Sequence, residues 1–221
     1  MKRRRGRGVV SLTFDDGTSD QLPVATWLAA RGVPATFYVN SGRIGNAGFL
    51  GWDDIATIAA QGHEIGGHTV DHPDLTTLTV DQAADQIGAD RSALLERGYA
   101  ADTFAYPYGA RSRELEEVVA AASYSAARRA WGLSAETPSE TLPPERPFAI
   151  RTLPSVERTA TAGELVTAIR AGGRGWTPVV FHLIGDGDSA YETRRSVFED
   201  VVDALLDASV RFATVAGALA G

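Results

Sequence analysis

Leu12-Thr13-Phe14-Asp15-Asp16-Gly17 is the stretch that decides the fold. It ends a short apolar, β-branched run that starts at Val9, and such a run reads as a buried strand. Neighbouring side chains on a regular strand point to opposite faces. Asp15 and Asp16 therefore serve one pocket only where the strand gives way to a loop, and Gly17 permits that break. Two acids held together repel each other unless a cation or a shared proton relieves them. An Asp-Asp-Gly after a strand is also a common turn with a helix cap. The histidines decide between the two readings.

The chain has four histidines: His63, His68, His72 and His182. His68 and His72 stand four apart in Gly66-Gly67-His68-Thr69-Val70-Asp71-His72-Pro73. That spacing sets two imidazoles side by side on one helical turn, or on a loop wound like one. It matches the two-histidine half of a zinc site. One carboxylate, from Asp15 or Asp16, completes an open shell, and the other acid is then placed as a base for water. His63 reads as a structural histidine. Tyr106-Pro107-Tyr108-Gly109 reads as a tight turn after a strand, with backbone N–H groups suited to an oxyanion. His182 ends the apolar run Val179-Val180-Phe181, on the rim where α/β active sites gather.

From Asp15 the alternation of elements runs outward. Residues 19–31, 52–61, 80–97, 113–122, 163–171 and 193–208 read as helices. Residues 35–39, 64–66, 103–106, 124–127, 149–153, 177–182 and 211–215 read as strands. Residues 133–148 hold four prolines and read as a surface loop, and a short apolar tail follows residue 215. Strand–helix alternation implies an α/β protein with parallel strands. About seven such units favour a closed or nearly closed barrel, with a doubly wound open sheet as the alternative. The 221 residues suit one domain, residues 9–221, preceded by a basic disordered arm, residues 1–8.

Net charge is −7, from 21 basic and 28 acidic residues. Five of the basic residues lie between positions 2 and 7, so the body is more acidic still. An acidic body argues against nucleic-acid binding. No run is long enough to span a bilayer, so no membrane insertion is expected. Cysteine is absent, which excludes disulfides and thiolate metal sites. No leader is visible, so a cytoplasmic location is expected for the chain as given, and an extracellular or cell-wall one if a leader was trimmed.

Taken together, these motifs resemble the NodB-homology polysaccharide deacetylases, carbohydrate esterase family 4. The resemblance runs from Val9 to about Leu219, with Thr13-Phe14-Asp15-Asp16-Gly17, His68-Thr69-Val70-Asp71-His72, Tyr106-Pro107-Tyr108-Gly109 and the His182 strand in the family's order. It implies a distorted (β/α) barrel of about seven parallel strands. It implies Asp15 as base, Asp16, His68 and His72 as ligands of one divalent metal, the Tyr108 N–H at the oxyanion, and His182 as general acid. Zinc is the first expectation for that shell, with cobalt, nickel or manganese as alternatives. Pro107, Tyr108, Arg128 and Trp131 are the expected substrate-contacting residues. The family's third motif often carries an arginine that steadies the base, and Ala105 stands at that position here. Arg128 is the candidate to replace it, and Trp131 the candidate wall of the acetyl pocket. The implied reaction is removal of N-acetyl groups from N-acetylglucosamine oligo- or polysaccharides. A small-molecule amide or imide hydrolase on the same site, or a non-catalytic carbohydrate-binding barrel, are the alternatives.

Overall fold

The computed structural model describes residues 8–221. The basic run at positions 2–7 lies outside the described residues. The elements are β1 (Val9–Phe14), α1 (Gln21–Ala29), β2 (Ala35–Val39), α2 (Trp52–Ala60), β3 (Glu64–Gly67), α3 (Val80–Glu96), β4 (Thr103–Ala105), α4 (Arg113–Ala121), β5 (Ala126–Gly132), β6 (Ile150–Thr152), α5 (Ala162–Ala171), β7 (Trp176–Phe181), β8 (Leu183–Gly185), β9 (Glu192–Arg194), α6 (Arg195–Asp207), β10 (Arg211–Phe212) and α7 (Val215–Leu219).

Strands β1 to β7 form one curved parallel sheet in the order β7-β1-β2-β3-β4-β5-β6. Past β6 the chain turns toward the other edge. The Leu153 and Val156 N–H groups donate to the Pro178 and Val180 carbonyls on β7, at 3.0 and 2.9 Å. The result is a distorted (β/α) barrel, nearly closed, and the open-sheet alternative is excluded.

β1 shows how the sequence dictates this. All six residues are buried. Val10, Leu12 and Phe14 face the outer core under the helices, where Phe14 stacks on Phe37 at 4.8 Å between ring centroids. Val9 belongs to a second cluster inside the barrel, with Tyr38, Ala105, Ala126, Ile150 and Trp176. Ser11 accepts a hydrogen bond from the Trp176 indole at 2.9 Å. A strand buried on both faces reads as a continuous apolar run rather than an alternation.

Several expected elements are corrected. The strand expected at 124–127 is Ala126–Gly132, its later half hidden by the charges of Arg128 and Arg129. The last strand stops at Phe212, and the expected tail is helix α7, capped by the Thr214 hydroxyl on the Gly217 N–H. The helix expected from 193 begins at Arg195, because residues 192–194 pair with β8 as β9. The cap expected at Thr79 is present, reciprocated by Gln82.

Candidate metal centre and active site

The site lies at the carboxyl ends of β1, β3, β4, β5 and β7. The Asp15 N–H still pairs with the Phe181 carbonyl at 3.0 Å, so Asp15 continues the inward-facing side of β1. Asp16 then adopts a left-handed backbone, φ 71°, followed by Gly17 at φ 65°. The break falls one residue earlier than the glycine alone suggests, and it turns the second carboxylate toward the first.

Thr69 and His72 also have positive φ, 71° and 61°, as does Tyr108 at 57°. Among the described residues seven non-glycines do so, and these four surround one site. Each such residue costs about 1 kcal/mol or more and persists only where its surroundings hold it. The segment from His68 to His72 is therefore a wound loop, not a helical turn. It is held by the Asn40 amide, which donates to the His68 carbonyl at 2.5 Å. The Thr69 hydroxyl accepts from the His72 N–H at 3.0 Å. The buried Asp90 carboxylate on α3 accepts from the His68 N–H at 3.0 Å and the Ser41 N–H at 2.9 Å. Burial pushes the Asp90 carboxyl up to about 7 against those hydrogen bonds. Gly67 makes the approach possible, since a Cβ there would lie 2.0 Å from the Tyr124 hydroxyl and 2.9 Å from Asp90 Oδ2.

The three expected ligands converge. His72 Nε2 is 3.3 Å and His68 Nε2 3.8 Å from Asp16 Oδ1, and the three ligand atoms lie within 4.8 Å of one another. Ligands at ~2.0–2.1 Å from a tetrahedral zinc stand about 3.3 Å apart. The donor set fits on a second ground. Asp16 Oδ1 and His68 Nε2 are both buried without a hydrogen-bond partner, a costly state for two polar atoms unless a cation shares them. His68 Nδ1 lies 2.7 Å from the Ala105 carbonyl, which can only accept. That bond puts the proton on Nδ1 and leaves the Nε2 lone pair pointing into the site. Burial lowers the pKa of both histidines, His72 to about 4, so both rings are neutral ligands at neutral pH.

Asp15 sits beside this centre, 4.0 Å from His68 Nε2. It is ion-paired with Arg128, whose side chain is fully buried. Arg128 lies on β5 directly opposite Ala105 on β4. The guanidinium expected from the third motif thus enters from the neighbouring strand, over the small Ala105 side chain and 4.5 Å above the Tyr38 ring. Burial alone would raise the Asp15 pKa, but the charge and hydrogen bond of Arg128 lead the effects that outweigh it and hold the carboxyl below its ordinary value.

His182 follows the last residue of β7, and its Nδ1 is buried without a partner. Its ring is 5.8 Å from that of Tyr191. Tyr108 stands edge-on to His72, with ring centroids 4.7 Å apart. A cleft of about 450 Å³ is lined by Asp15, Asp16, His72, Tyr108, Trp131 and His182, with Glu157 and Tyr191 at its walls. Of the expected substrate contacts, Tyr108 and Trp131 line this cleft. Pro107 and Arg128 do not: Pro107 is buried in its turn, and the Arg128 guanidinium is taken up by Asp15. His63 is structural, accepting from the Ala35 N–H at 3.1 Å and bonded to the Ala25 carbonyl at 2.9 Å.

Sequence reasoning passed over Gln21, Asn40, Asp90 and Tyr191. Gln21, fully buried on α1, donates from Nε2 to the Asp15 carbonyl at 2.5 Å and the His182 carbonyl at 3.3 Å. It ties the loop of the first carboxylate to that of the last histidine. Asp90 carried a legible signal, since it falls in the apolar stripe Ala83, Ile87, Leu94 of α3, where a carboxylate needs partners.

The family model for polysaccharide deacetylase matches residues 2–127, more than half of the chain. Over 114 residues the chain is 33% identical to peptidoglycan-N-acetylglucosamine deacetylase PgdA of Listeria monocytogenes, a stretch covering 50% of this chain and 23% of that protein. Over 87 residues it is 41% identical to chitin deacetylase of Colletotrichum lindemuthianum, covering 38% of this chain and 34% of that one. The chain thus spans well under half the length of these curated relatives. Among solved structures, the Xyl-CE4 domain of a multidomain xylanase from the hindgut metagenome of Trinervitermes trinervoides superposes with a TM-score of 0.70. That match covers 97% of this chain and 90% of the domain at 17% identity, a likeness of fold.

Proposed function

This chain belongs to the polysaccharide deacetylase family, and from that premise we propose that it hydrolyses N-acetyl groups of N-acetylglucosamine oligo- or polysaccharides. The observation that carries the reading is the convergence of two orphaned buried acceptors, Asp16 Oδ1 and His68 Nε2, with His72 beside them. Asp16, His68 and His72 would hold one divalent ion, zinc first. Such an ion supplies a Lewis acid for the acyl oxygen and brings the pKa of water down toward ~7.

The remaining steps belong to side chains of this protein. Asp15, kept ionised by Arg128, takes a proton from the attacking water. The Tyr108 N–H, on a backbone turned left-handed at that residue, donates to the oxyanion of the tetrahedral intermediate. His182 gives a proton to the departing amine, which is a poor leaving group without one. Among the described residues, three of the six most exposed large apolar side chains line the cleft: Tyr108 and Tyr191, each 61% exposed, and Trp131 at 43%. Exposed rings gathered around a polar centre suit the apolar faces of sugar rings.

The test is acetate release from chitooligosaccharides by the purified chain, after chelation and after return of single divalent ions. Release that vanishes on chelation and returns with zinc, cobalt, nickel or manganese is expected. Release indifferent to chelation contradicts the reading. Ring opening of imides without acetate release from any sugar redirects it to a small amide.

A further inference from the structure

Outside β5 and β6, under the proline-rich segment 133–149, lies a cavity of about 220 Å³ that the deacetylase reading does not use. It is lined by Arg111, Arg129, Arg146, Arg151, Glu140 and Glu145, with Ala149 at its base. Three of the four arginines are spoken for. Arg111 and Arg146 share the Glu116 carboxylate, Arg146 at 2.9 and 3.0 Å. Arg151 grips Glu140 through two nitrogens, at 3.0 and 2.7 Å. Arg129 has no carboxylate partner among the described residues, and its Nε is buried with no acceptor.

Arg129 is also surrounded by its own kind. Burial, and then the like charges of Arg111, Arg146 and Arg151, hold its pKa below the ordinary arginine value against the opposing charge of Glu116. Glu140 and Glu145 also line the cavity, but neither pairs with Arg129, and a bound anion would supply the partner this guanidinium lacks. Trp131 stands between the cleft and Arg129. That side chain lines the cleft, and its ring centroid lies 5.4 Å from Arg129 Cζ. Gly109, also in the cleft wall, packs so closely against Ala130 and Trp131 that a Cβ there would fall 2.5 Å from the Trp131 ring. A glycan stacked on Trp131 would bring a neighbouring sugar toward Arg129.

We infer that the Arg129 cavity is a subsite for an anionic substituent, carboxylate or phosphate, on a sugar next to the one deacetylated in the cleft. The inference rests on the deacetylase reading and narrows its substrate to acidic N-acetylated glycans. A guanidinium fork donates two parallel hydrogen bonds to either oxyanion. A neutral N-acetylglucosamine homopolymer offers it hydrogen-bond acceptors but no opposite charge.

The experiment uses three oligomers of equal length: neutral N-acetylglucosamine, one bearing a carboxylate on the neighbouring sugar, and one bearing a phosphate there. Acetate release is measured at low and at physiological salt. The wild type is expected to show kcat/KM about tenfold higher for at least one anionic oligomer, the scale of one charge-assisted hydrogen bond. Which oligomer it is names the source of the anion, and the advantage shrinks with salt. Arg129→Gln brings the ratio of anionic to neutral kcat/KM toward one, and Arg129→Lys keeps part of it, with circular dichroism melts showing both variants folded. Equal kcat/KM for all three oligomers in the wild type overturns the subsite. So does a preference that survives Arg129→Gln. If no oligomer releases acetate, the deacetylase reading fails by itself. The subsite then stands or falls on equilibrium binding of the same oligomers: tighter binding of an anionic one that Arg129→Gln abolishes supports it, and equal binding sinks it.

Discussion

The two ends of the barrel each enclose acidic side chains, and they treat them in opposite ways. At the amino ends of the strands, Glu64 on β3 has both oxygens bonded. Oε2 accepts from the Thr36 hydroxyl and the Ala216 N–H, each at 2.9 Å, and Oε1 accepts from Thr103 at 2.5 Å. The Ala216 N–H belongs to the first turn of α7, so the carboxylate fastens the C-terminal helix across the barrel floor. At the carboxyl ends, Asp16 Oδ1 and His68 Nε2 face each other with no hydrogen-bond partner, the Arg43 guanidinium standing 4.0 Å from Asp16 Oδ1, on a backbone bent left-handed at Asp16, Thr69, His72 and Tyr108. The floor is closed upon itself. The mouth leaves lone pairs and strain that a bound cation would relieve.

The proton equilibria differ in the same sense. Burial raises the Glu64 pKa against its hydrogen bonds. At Asp15, charges headed by Arg128 outweigh the burial and lower it. A buried carboxylate with no cation drifts toward its neutral form, whereas one with an arginine is held ionised and fit to serve as a base.

Substitutions can break or sharpen this contrast. The largest effect is expected at the mouth. Asp15→Asn should lower kcat by on the order of 10²–10⁴-fold, the usual worth of a proton-transfer group. It should also leave Arg128 buried and unpaired, at a cost of about 3–5 kcal/mol in urea unfolding. A variant with near-normal kcat would place the base elsewhere. Next comes Arg128→Met, expected to lower activity by about 10–100-fold, the scale for a group that orients another. Loss of the guanidinium raises the Asp15 pKa, so the acid limb of the kcat/KM profile should move to higher pH. An unmoved limb would reduce Arg128 to a packing role.

The smallest effect is expected at the floor, from Glu64→Gln. The amide introduced by that substitution can accept from Thr36 and Ala216 and donate to Thr103, so stability at neutral pH should change by no more than about 1 kcal/mol. The sign with pH follows from the raised pKa. The stabilisation linked to Glu64 is fully present below its unfolded value of about 4.3 and is lost as pH rises through the folded one. The variant should therefore gain on the wild type between acid and neutral pH in urea titrations. Activity lost in a folded Glu64→Gln protein would make the floor part of the machinery and end the comparison.

The mouth was more legible in the sequence than the floor. Asp15, Asp16, His68 and His72 sit in tight local motifs, where residue type and spacing already imply shared work. Arg128 was half legible. Its replacement of the arginine missing at Ala105 depends on the β4–β5 register, which sequence periodicity does not reveal. Glu64, Thr36, Thr103 and Ala216 meet only through the closure of the barrel and come from four separate segments. The helical end of the chain was hidden as well, because residues 211–215 alternate like a strand. In the structure the pairing with β1 ends at Phe212, and the Thr214 cap takes over. The role of Gln21 leaves no trace in the sequence because both its partners are backbone carbonyls, from the loops that follow β1 and β7.

The most direct measurement is calorimetric titration of a divalent ion, zinc first, into the chelator-stripped protein, beside Asp16→Ala and His68→Ala variants checked for folding. One ion bound tightly per wild-type chain, with tight binding lost in both variants, is the expected result. Equal affinity in all three proteins, or no binding in the wild type, would contradict the claim that the barrel's mouth is built around a cation.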